Sequence, residues 1–129
     1  MLLYIFYNAD LLEIPNNISK EDAVGYVDNI TLLSIGNNST ETTEQIEDMM
    51  VRKEGGQQWR VSHNSFFGVT ESAIAHYSRK MISDSESNNC HILFYRPVLI
   101  LEGQMVQEVN QYKYLGMIID AQLRWKEQE

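Results

Sequence analysis

Two short apolar runs, Ala23 to Val27 and Ile30 to Ser34, meet at Asp28-Asn29, and this junction restricts the fold more than any other stretch of the chain. A two-residue connection between such runs needs positive φ in its backbone, which Asn, Asp and Gly tolerate best. The pattern therefore predicts a β-hairpin with the acidic residue at its tip. A carboxylate held there by two short strands is placed to present a divalent cation to a phosphate. Taken alone, the same two residues also suit an ordinary turn.

Other elements follow from periodicity. Leu2, Leu3, Ile5, Phe6, Ala9, Leu11 and Leu12 recur at roughly helical spacing, with Pro15 just beyond, so a helix is expected from the start to about Glu13. It opens with no cap, as though cut from a longer element. Gly36-Asn37-Asn38-Ser39 is a turn cluster. Thr40 is positioned to cap a second helix, with Glu41 and Glu44 complementing its dipole. Ile46, Met49, Met50, Gly56, Trp59 and His63 give that helix a buried stripe over 41–63. Gly55-Gly56 weakens it by about 1 kcal/mol per Gly and marks a place for a break. Ala73 to Ser78 reads as a short strand and Met81 to Asn89 as a polar loop. From His91 the texture is β: Ile92 to Phe94, Val98 to Leu101, Met105 to Val109 and Tyr112 to Ile119 are short runs parted by Pro97, Gly103 and Gln111. Leu123 and Trp125 begin an amphipathic segment.

The chain of 129 residues holds one domain at most, with 43% apolar residues to build a modest core. No run approaches the roughly 20 apolar residues that span a bilayer, and Met1 to Tyr7 lacks a basic leader, so an intracellular, non-secreted protein is expected. A lone Cys90 excludes an internal disulfide. The net charge of −8 argues against a free-standing nucleic-acid binder. That charge is uneven: residues 1–50 hold nine acids and one base, whereas residues 51–129 balance. Cys90-His91 suggests a metal pair, but neighbours on a strand face opposite ways and a second Cys is missing. Nothing resembles the Gly-x-Ser-x-Gly elbow of a hydrolase.

Four segments, in order, carry a family resemblance. They are Leu2-Leu3-Tyr4-Ile5-Phe6-Tyr7-Asn8-Ala9-Asp10-Leu11-Leu12, Gly25-Tyr26-Val27-Asp28-Asn29-Ile30-Thr31, Trp59 with His63, Asn64, Ser65 and Phe67 leading to Ile74-Ala75-His76-Tyr77-Ser78-Arg79, and Tyr114-Leu115-Gly116-Met117-Ile118-Ile119-Asp120 with Leu123, Trp125 and Lys126. Together they resemble the palm of non-LTR (LINE-type) retrotransposon reverse transcriptases, from the helix after the family's Gly-Ser-Pro motif to the thumb entry. The resemblance implies an α+β fold: a partial palm over 1–111, with a small antiparallel sheet, the catalytic-type hairpin and helices on one face, then a primer-grip segment and thumb entry over 112–129. It implies RNA-directed DNA polymerisation, with Asp28 as a Mg²⁺ ligand, Asn29 at the second carboxylate's position, and Tyr114, Leu115 and Gly116 against the primer. It also implies a template and primer as partners, and the fingers and upstream palm segment as a structural partner.

Three departures qualify that expectation. The family's Tyr-x-Asp-Asp reads Tyr-Val-Asp-Asn here, so one carboxylate is a neutral amide. Glu71 stands where the family carries a Lys four residues after Phe67. The strand that bears a further catalytic Asp would precede Leu2. Polymerisation uses two Mg²⁺ about 4 Å apart, and Mg²⁺ wants anionic oxygen ligands. With one ligand neutralised and another outside these residues, the chain alone is expected to be inactive. The alternative expectation is a non-enzymatic interaction domain with exposed apolar surface. In isolation Tyr114-Leu115-Gly116 also reads as a strand end with a bulge, and Trp59 with His63 as a packed core pair.

Overall fold

A computed structural model describes residues 9–16, 20–26, 29–78 and 96–123, and the backbone at 82–83 and 90–91. The architecture is mixed α and β, with small, mostly antiparallel sheets. The chain divides into two compact units, Met1–Gly68 and Val69–Glu129.

In the first unit a 3-10 helix, Ala9–Glu13, leads to the hairpin of β1 (Glu21–Tyr26) and β2 (Asn29–Ser34), followed by α1 (Ser39–Val51) and α2 (Gly56–Ser62). Of the expected first helix, the described part is this single tight turn; Met1 to Asn8 lie outside the described residues. The hairpin register sets Ala23 opposite Leu32 and Gly25 opposite Ile30. Cross-strand partners share a face. Ile30 and Leu32 pack there on a core of Leu11, Ile14, Met49 and Trp59, with Ile46 and Phe67 at its margin. Gly25 keeps that face thin, since a Cβ would lie 3.2 Å from side-chain carbons of both Ile30 and Leu12. The opposite face carries Asp22, Val24 and Tyr26 against Leu33, Thr31 and Asn29.

The helix starts two residues earlier than the sequence suggests. Asn38, not Thr40, is the cap: its Oδ1 accepts the Glu41 backbone N–H at 2.8 Å, while the Glu41 carboxylate accepts the Asn37 N–H at 2.8 Å. Asn is as strong a cap as Ser or Asp, and its place inside the turn cluster, ahead of Thr40, lets it act first. The expected long helix over 41–63 is broken into α1 and α2. A Cβ on Gly55 would lie 2.5 Å from the Met49 carbonyl oxygen, and one on Gly56 would lie 2.6 Å from the Met50 sulfur. Gly55 thus permits a backbone approach that a side chain would block, and the break sets Trp59 beside Met49.

One buried charge ties this unit together. Glu21 accepts from Arg52 at 2.8 and 3.2 Å and from the Asn16 N–H at 2.9 Å. Arg52 also reaches the Ile14 carbonyl and Asp48. Burial by itself would raise the Glu21 carboxyl, but the Arg52 hydrogen bonds, the Asn16 N–H and the Arg52 charge outweigh it and hold the pKa below the ordinary carboxylate value. The hydrogen bond to Glu21 in turn leads the causes that raise Arg52.

The second unit opens on a 3-10 turn, Val69–Glu71, and continues as short strands: β3 (Ala73–Ala75), β4 (Ile82–Ser83), β5 (Cys90–His91), β6 (Ile100–Leu101), β7 (Gln104–Met105), β8 (Gln107–Val109), β9 (Gln111–Tyr114) and β10 (Met117–Asp120). Among the described residues the strands of the whole chain form five two-stranded sheets, not the one small sheet expected. Four are antiparallel; β3 and β8 run parallel. The strand expected over 73–78 ends at Ala75, and the loop expected over 81–89 includes β4, paired with β5. The run 105–109 splits at buried Val106, whose N–H bonds the Leu99 carbonyl at 2.9 Å. The run 112–119 splits at Leu115-Gly116 into a hairpin. Ile92 to Phe94 and Trp125 lie outside the described residues.

Buried Val69, Leu99 and Val106 supply the apolar interior here, together with His76. Burial pushes the His76 imidazole below its usual pKa, with the Glu108 charge opposing the shift and the Arg96 charge adding to it. Arg96 is itself held by Glu108 at 2.7 Å and by the Asn110 Oδ1 at 2.6 Å.

Candidate functional site

The hairpin end is the first place to look for chemistry. The last strand pair is Tyr26 with Asn29, so the connection consists of Val27 and Asp28. Asp28, the metal-ligand candidate, lies outside the described residues. Asn29 is not a turn residue, as the sequence reading had it, but the first residue of β2. The pairing of Tyr26 with Asn29 sets Gly25 against Ile30, with Ile30 and Leu32 on the core face. Asn29 is exposed and shares the outward face with Tyr26.

The donor set at this end does not fit a two-metal centre. Mg²⁺ sites built from protein carboxylates need anionic oxygens, and here the sequence places one carboxylate, Asp28, beside a neutral amide. The nearest other acid on β1 in described backbone, Asp22, has its Oδ1 on the Ala23 N–H at 2.8 Å, and Glu21 is committed to Arg52. Among the described residues, no three His, Cys, Asp or Glu side chains come together as metal ligands.

Tyr114, Leu115 and Gly116 belong to the second unit. They form the β9–β10 turn rather than a strand end with a bulge: Tyr114 pairs with Met117, and Leu115 and Gly116 have φ of 49° and 87°. Two successive positive φ values define the turn that matches strand twist, and Gly at the second position is its usual mark. Glu102-Gly103 repeats this device between β6 and β7, with φ of 53° and 75°. The Xaa-Gly dipeptide between short apolar runs was the available signal in both places. Tyr114 is half-buried, and Leu115 and Gly116 are exposed. In the same unit, burial raises the Tyr77 hydroxyl above its usual pKa, and the charges of Tyr112 and Asp120 add to it.

Sequence reasoning did not anticipate a cleft of about 310 Å³ in the first unit, lined by Asp10, Glu13, Glu54, Gln58, Trp59, Ser62 and His63. Its wall is aromatic: the Trp59 and His63 rings stack with centroids 4.5 Å apart, and Phe67 lies 6.0 Å from Trp59 on a similar tilt. The His63 Nδ1 sits 3.0 Å from the Trp59 carbonyl, which can only accept, so this nitrogen carries a proton. Its Nε2 lies 3.7 Å from the Asp10 carboxylate. Ser62 Oγ is 3.5 Å from the same Nδ1 but donates to the Gln58 carbonyl at 2.8 Å. A protonated Nδ1 cannot take the serine proton, so these residues do not make an activated nucleophile. The expected packing of Trp59 with His63 is what the rings show.

Comparison with protein-family models, curated proteins and solved structures finds no match to this chain. Among the described residues no helix is long and apolar enough to cross a membrane.

Proposed function

We propose that this chain is part of the palm of a non-LTR retrotransposon reverse transcriptase, an RNA-directed DNA polymerase, and that it does not extend a primer by itself. The observation that supports the reading is the β1–β2 hairpin, closed by Tyr26 and Asn29 and connected by Val27-Asp28, in a Tyr-Val-Asp-Asn sequence. In such an enzyme Mg²⁺ would activate the primer hydroxyl and neutralise charge at the phosphate. The donors in these residues fall short of that centre. Asp28 would remain as one ligand, Asn29 would leave the second position without charge, and Tyr114 to Gly116 would lie along the primer. Template, primer and the fingers-bearing segment would be the partners.

The experiment is primer extension on an RNA template by the purified chain, in Mg²⁺ and in Mn²⁺. No product is expected. Product that disappears in Asp28→Asn would overturn the inactivity and retain the family. Translation of the flanking coding sequence tests the family separately: an Asp-bearing strand and a Gly-Ser-Pro motif running into Leu2 are expected, and an unrelated sequence there would remove the reading.

A second reading, a non-enzymatic interaction domain, draws on the outward hairpin face. Val24, Tyr26 and Leu33 are all exposed there. Size-exclusion chromatography with a dye that reports apolar surface tests it; a monodisperse monomer that leaves the dye dark would count against it.

A further inference from the structure

We draw no further inference here: the strongest candidate, the cleft of the first unit where Asp10, Glu13 and Glu54 surround the stacked Trp59 and His63 rings, is an acidic cluster beside a packed aromatic pair, and nothing in the structure shows what ligand it would hold.

Discussion

The two units solve the same problem with unequal means. Among the described residues Met1–Gly68 has one hairpin and two α-helices, and the helices give the sheet something to lie on. Its apolar residues therefore converge, with Met49 wholly buried between Leu11, Ile14 and Trp59. Val69–Glu129 has strands of two to four residues and, among the described residues, no α-helix. Large apolar side chains stay outside in both units; what differs is the interior, which among the described residues holds Leu11, Ile14, Met49, Met50 and Trp59 in the first and Val69, Leu99 and Val106 in the second. Two-stranded sheets are marginal without a packing partner, so the same apolar content yields less burial when there is no helix to receive it.

The sharpest way to break this contrast is truncation. Met49→Ala is expected to cost about 3 kcal/mol, because rigid neighbours keep the cavity open, and Leu99→Ala in the second unit about 2 kcal/mol. Urea unfolding followed by circular dichroism would measure both; equal losses would end the claim that the interiors differ. Next in size is Arg52→Met, which leaves the Glu21 carboxylate, 3% exposed, without its cation. We expect a loss of about 2 kcal/mol, since Arg52 is partly solvated and its pairing is discounted accordingly. Adding Glu21→Gln should recover part of that loss, and a double mutant no better than the single would show that the pairing is not the cause.

Acid should separate the two units without mutation. Glu21 has a depressed pKa when folded, so its contribution is present above the ordinary carboxylate range and is lost as pH falls through the folded value. His76 is also depressed, but from a higher starting point: the unfolded chain takes up its proton first, so stability declines once pH drops below about 6.5. Amide protection factors, corrected for the slower intrinsic exchange in acid, should thus fall around β3 and β8 at pH 5.5 relative to pH 7.5, while those of β1 and β2 hold. His76→Gln should remove that dependence, and an unchanged profile in the variant would refute the assignment.

The smallest expected effect is a gain. Leu115 sits at φ 49° with its side chain exposed, where Asn is more at ease. Leu115→Asn should stabilise the protein by about 0.5 kcal/mol, read as a shift in Tm. A drop in Tm would mean that the leucine side chain makes contacts worth more than the backbone strain.

Legibility followed the same division. In the first unit the hairpin, the breakpoint at Gly55-Gly56 and the buried positions Met49, Met50 and Trp59 could be read from spacing, because a helix and a half-buried strand imprint distinct periods. The cap was misplaced because Asn38, Ser39 and Thr40 can all act as caps, and only backbone geometry chooses. The hairpin register differs from the expected one because Asp28 and Asn29 both tolerate a turn. Both registers pair Ala23 and Gly25 with Ile30, Leu32 or Ser34, so periodicity does not choose between them. In the second unit, strands of two or three residues are too short to show a period. The Trp59, His63 and Asp10 cleft was invisible because its residues come from segments fifty positions apart, and neither type nor local pattern joins them.

The Arg52 guanidinium spans 31 residues to Glu21 and 38 to the Ile14 carbonyl. Contacts over such separations require large loops to close before they can form, so they belong to a late stage of assembly. Arg52 can grip both partners only after the hairpin has its register and the helix has its last turn. In kinetic terms a late contact of this kind is expected to act as a bolt, with little effect on how fast the unit is found and its main effect on how slowly it comes apart.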